Sequence, residues 1–125
     1  MSCVDYHESS WTRLKWSVQC LAAEADVQLS IYGEFGGADE LALDFDHWLE
    51  VCQRFMTPEQ EQALSPIDSL LDGMSGPDGP WDNEHLRRDA RWTDIRTLAK
   101  SALDKFGWLF EDPPPSPEFF GPLGS

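Results

Sequence analysis

Glu40, Asp44 and His47 stand at i, i+4 and i+7, a spacing that lines two carboxylates and an imidazole along one flank of a helix. Oxygen and imidazole donors together suit a divalent ion, so a small helical metal-dependent hydrolase built on these three residues is one reading. Di-iron helical bundles, however, need a Glu-x-x-His pair on each of two helices, a requirement this chain does not meet. His7 beside Glu8 and His85 beside Glu84 offer groups that titrate near neutral pH, but neither pair belongs to a larger catalytic constellation. Gly-x-Ser-x-Gly, phosphate-loop, dinucleotide-glycine and His-Glu-x-x-His patterns are all missing, which removes the motif-based enzyme classes. Cys52 falls among apolar neighbours at helical spacing, where a thiol acts as a small hydrophobe. Pro114 to Pro117 satisfies P-x-x-P, yet acids surround it and the usual flanking cation is absent.

The elements that must carry these residues are helical. Trp11, Leu14, Val18, Leu21, Ala22 and Ala25 recur at spacings of three and four after the N-cap candidates Ser9 and Ser10. Trp16, Cys20, Ala23 and Val27 form a second apolar stripe on the opposite side. Such a helix is either sandwiched centrally or offers its second stripe to a partner, including another copy of the chain. Val27, Leu29 and Ile31 alternate, but helix followed by loop is preferred over a strand before Gly33. From about Asp39, a second helix aligns Leu41, Phe45, Trp48, Leu49, Cys52, Phe55 and Met56 on one face.

Thr57-Pro58-Glu59-Gln60 combines an N-cap, a first-turn proline and a Gln at the third position, announcing a further helix. Pro66 should kink that helix or start a new one capped by Ser65. A Gly/Pro loop spans residues 73–80, a short helix runs from Asp82 to Arg88, and a last long helix from about Asp89 ends at Gly107. The expected buried set is Trp11, Leu14, Val18, Leu21, Leu41, Phe45, Trp48, Leu70, Trp92, Ile95, Leu98 and Phe106. The fold class expected is thus all-α, a bundle of four to six helices over residues 1–110, with an irregular Pro-rich tail at 111–125. Gly121-Pro-Leu-Gly-Ser125 has the make-up of a cleavable-tag remnant and is set aside.

Charge is distributed unevenly. The chain carries 23 acids against 9 Lys and Arg, a net −14, which repels phosphate backbones and anionic bilayers and argues against nucleic acid or membrane as partners. Residues 34–72 hold ten acids against one base, Arg54, whereas residues 85–105 hold six bases against three acids. Cys3, Cys20 and Cys52 fit neither a disulfide framework nor paired zinc spacing, so reduced thiols in a cytoplasmic protein are expected. No export signal or membrane span is visible in the pattern, and no cofactor is called for.

Ala38-Asp-Glu-Leu-Ala-Leu-Asp-Phe-Asp46, Ile67-Asp-Ser-Leu-Leu-Asp-Gly-Met-Ser-Gly76 and Trp92-Thr-Asp-Ile-Arg-Thr-Leu-Ala-Lys100 resemble segments of small acidic bacterial helical proteins of no established activity. In size and acidity the chain is also similar in type to bacterial immunity proteins that cap toxic effectors. These resemblances imply no catalytic residues. The function expected is a non-enzymatic, immunity-like or regulatory domain that binds a basic protein. Asp39, Glu40, Asp44, Asp46, His47 and Glu50 would provide the acidic face, with Trp16 and Trp81 as exposed anchors.

Overall fold

Local chemistry explains several helix ends in the computed structural model, which describes residues 3–33, 37–75, 79, 81–108 and 113, with side chains from Ser10 onward. Six α-helices are present among those residues: α1 (Cys3–Ala22), α2 (Ala25–Tyr32), α3 (Gly37–Cys52), α4 (Pro58–Gly73), α5 (Asn83–Arg88) and α6 (Ala90–Phe106). A single 3₁₀ turn, Gln53–Phe55, extends α3. The described residues contain no strand, so the fold is an all-α bundle.

The capping box at Thr57 forms as its residue types require. Thr57 Oγ1 accepts from the Gln60 amide at 3.2 Å, and Gln60 Oε1 accepts from the Thr57 amide at 2.9 Å. Asp82 and Asp89 cap α5 and α6 through amides of His85 and Arg91, each at 2.8 Å. Gly107 closes α6 at φ 74°, ψ 20°, a left-handed conformation that glycine enters without steric cost.

Two helix boundaries differ from the sequence expectation. First, α1 begins at Cys3, so Ser10 lies inside the helix and is buried rather than capping it. Second, the chain breaks at Ala23 and Glu24 and restarts as α2, with neither Gly nor Pro at the break. Long-range partners hold that break. Gln28 Nε2 donates to the carbonyls of Cys20 (3.0 Å) and Leu21 (3.2 Å), while Arg96 Nε donates to the Ala23 carbonyl at 3.1 Å. Arg96 Nη2 also donates to Gln28 Oε1 at 3.0 Å and to the Leu86 carbonyl. The carbonyls of Cys20, Leu21 and Ala23 at the end of α1 thereby gain partners, and the cation sits where the helix dipole is negative.

Pro66 neither ends nor divides α4, which runs unbroken to Gly73. Gln62 and Pro66 are both exposed, so the carbonyl that loses its amide partner lies on the solvent side, where water can serve it.

Packing places α1 between α3 and α6, with α4 on α6, α2 on α3 and α5 beside α6. This sandwich accounts for the two stripes of α1: Leu14, Val18 and Leu21 are fully buried, and Trp16, Cys20 and Ala23 are buried from the opposite side, while Val27, beyond the break, is half-buried. Leu41, Phe45, Trp92 and Ile95 are also fully buried. Trp11, Trp48, Leu70, Leu98 and Phe106 are only half-buried, which corrects their expected place at the centre of the core. Trp48 lies at an edge, between the Arg13 guanidinium 5.4 Å from its ring centroid and the His47 ring at 4.5 Å. Apart from Pro113, the expected 111–125 tail lies outside the described residues. Among the described residues, no helix is long and apolar enough to cross a membrane.

Candidate functional site

Two helices contribute matching strips to one groove. From α3 come Asp39, Ala42, Leu43 and Asp46; from α4 and its end come Asp68, Leu71, Asp72 and Ser75. Both sets follow i, i+3, i+4, i+7, the spacing of a single helix face. Trp81 completes the cleft, whose volume is about 160 Å³. Its indole Nε1 donates to the Met74 carbonyl at 3.1 Å, and its ring meets buried Trp92 edge-on at 5.8 Å. The aromatic wall is therefore held from behind by the core.

Asp68 also lines a second hollow of about 170 Å³ with Leu49, Gln53, Glu61 and Ser65. Acidic surface thus continues along the α3–α4 groove beyond the cleft.

Among the described residues, four carboxylates face the cleft and no lining residue is basic. The electrostatic consequence appears at Asp68, whose pKa is raised above the ordinary carboxylate value, chiefly by burial and then by the charges of Asp72 and Asp46. Leu43, 58% exposed, is the one exposed large hydrophobic side chain among the described residues. An apolar residue within a ring of acids matches the surface an Arg or Lys side chain presents, with an apolar stem and a charged head.

Of the residues expected to bind a partner, Asp39, Asp46 and Trp81 converge here. Glu40, His47 and Glu50 are exposed elsewhere on α3. Asp44 turns toward α2 and accepts a hydrogen bond from the Tyr32 hydroxyl at 2.8 Å. Trp16 is 5% exposed and packs against Tyr32 at 5.7 Å between ring centroids. This corrects its expected role as an exposed anchor, because the α1 stripe that carries it is covered by the fold.

The Glu40, Asp44 and His47 trio does not form a metal site. No group of three His, Cys, Asp or Glu among the described residues is placed to hold an ion. Asp44 instead ties α3 to α2.

Cys20 and Cys52 are free and buried. Burial pushes the Cys52 thiol up to about 11 and, with the nearby Asp44 charge, raises Cys20 further. Both thiols are held protonated, the unreactive form.

Sequence reading passed over Leu43, Asp68 and Asp72 as site residues. Their helical spacing was visible, but the meeting of the α3 and α4 strips across a groove was not. Comparison of the chain with protein families, characterised proteins and solved structures finds no match.

Proposed function

We propose that the chain is a non-enzymatic interaction domain, immunity-like or regulatory, whose α3–α4 groove seats a basic segment of a partner protein. One observation carries this reading: among the described residues, four carboxylates and no base line a cleft walled by the Trp81 indole. Such crowding disfavours the isolated fold and becomes favourable once a cation enters. The acids would speed encounter by long-range attraction, while Trp81 and Leu43 would supply the apolar contact that slows release. The net charge of −14 favours a cationic protein over nucleic acid.

The test is a titration of a short amidated Arg-Leu-Arg peptide into the ¹⁵N-labelled chain. Shifts should concentrate at Asp39, Leu43, Asp46, Asp68, Asp72 and the Trp81 indole, and should diminish in the Asp46→Asn/Asp72→Asn variant. Shifts spread evenly over every acidic surface would show that the groove has no special role.

A further inference from the structure

A separate concavity, unrelated to the acidic groove, has the opposite chemistry. Trp11, Thr12 and Lys15 of α1, Gln60 in the first turn of α4, and Phe106 and Trp108 at the end of α6 line a pocket of about 350 Å³. All six are half-buried. The volume lies at the small end of the range for small-molecule sites, roughly 300 to 1,000 Å³.

Its aromatic walls hold one another in place. Phe106 and Trp108 stack at 4.4 Å with 15° between their planes, and Trp11 meets them edge-on at 5.9 and 6.1 Å. These contacts fix the ring orientations before any ligand arrives, which reduces the entropy lost on binding.

The polar lining is rich in donors. Gln60 Oε1 accepts from the Thr57 amide; a backbone N–H can only donate, so the orientation of the Gln60 amide is settled and its Nε2 remains as a donor. The Lys15 ammonium carries three donors, enough for a ligand oxygen to join the contact that Lys15 already makes within the protein. Thr12 adds a hydroxyl. The chain has 23 acids, yet among the described residues no carboxylate lines this pocket.

We propose that this pocket binds a small ligand made of a flat aromatic ring bearing a carboxylate. The ring lies against Trp11, Phe106 and Trp108, and the carboxylate accepts hydrogen bonds from Lys15 and Gln60. Charge complementarity selects the anion locally, against the repulsion of the molecule as a whole, so a preference for acid over neutral isostere cannot come from the overall field.

The experiment compares 2-naphthoate with 2-naphthylmethanol on the full 125-residue chain, by calorimetry and by the tryptophan indole N–H signals. Naphthoate should bind saturably, shift Trp11 and Trp108 while leaving Trp92 in place, and bind about tenfold more tightly than the alcohol, as one charge-assisted hydrogen bond allows. Lys15→Met should abolish that preference while retaining alcohol binding. Trp108→Ala should weaken both ligands, with an unchanged Trp92 signal reporting that the bundle is intact. The proposal is overturned by an absence of saturation at millimolar naphthoate, by equal affinity for the two ligands, by a preference that survives Lys15→Met, or by a response centred on Trp81 instead.

Discussion

Six tryptophans occur in this chain, and the structure gives them different roles. Trp92 is fully buried, so Trp92→Ala should cost roughly 3 to 5 kcal/mol through lost transfer energy and a residual cavity. Trp48, half-exposed at the edge of α3, should cost under about 2 kcal/mol on the same truncation. Urea denaturation of both variants checks the difference, and equal losses would put Trp48 back in the core. Asp68 makes a prediction of opposite sign. Its pKa is raised in the folded chain, so its ionised form penalises folding at neutral pH. That penalty disappears as pH falls through the raised value and below the unfolded one. Asp68→Asn should therefore melt at a higher temperature than the parent chain at pH 7 and at about the same temperature near pH 3. A lower melting point at pH 7 would mean that a cation within the protein already satisfies Asp68.

Element boundaries were legible where local chemistry sets them. Thr57, Asp82, Asp89 and Gly107 each act within a few residues of their own position, and the sequence pattern located all four ends. The break after α1 was not legible, because its determinants are Gln28 and Arg96, the latter 73 residues from the Ala23 carbonyl it binds. The candidate groove was half-legible for a similar reason: the acids of α3 stood out by density, but those of α4 gained meaning only from the approach of the two helices. Arg96 tests the tertiary cap directly. Arg96→Leu removes the donors to Ala23, Gln28 and Leu86 and should cost about 2 to 3 kcal/mol, as buried acceptors left unpaired do. Arg96→Lys should recover only part of this, since a single ammonium cannot reproduce the planar fork. Chemical denaturation gives the ranking, and hydrogen exchange should show the loss first at α2 and the last turn of α1. A lysine variant as stable as the parent would reduce the arginine to a generic charge.

At the scale of the whole molecule, a net −14 on 125 residues makes salt act on stability and on association in opposite directions. Self-repulsion among the acids opposes the compact state, and salt screens it over roughly 8 Å at physiological ionic strength. The melting temperature of the free chain should therefore rise with added sodium chloride. The same screening should slow capture of a basic partner, because steering acts before the surfaces meet. Exchanging Asp39, Asp46 and Asp72 for Lys should imitate salt in both respects, raising the melting temperature through relief of crowding and lowering the association rate. Dissociation should change less in the single variants Asp39→Lys and Asp46→Lys than in Trp81→Ala, because steering charges act on encounter whereas a packed indole acts on release. Stopped-flow kinetics with a cationic protein partner recovered from the source cells, run across a salt series, separates these effects. Association rates indifferent to both salt and charge reversal would leave the acidity as a device for solubility alone, and the groove would lose its claim to be a docking site.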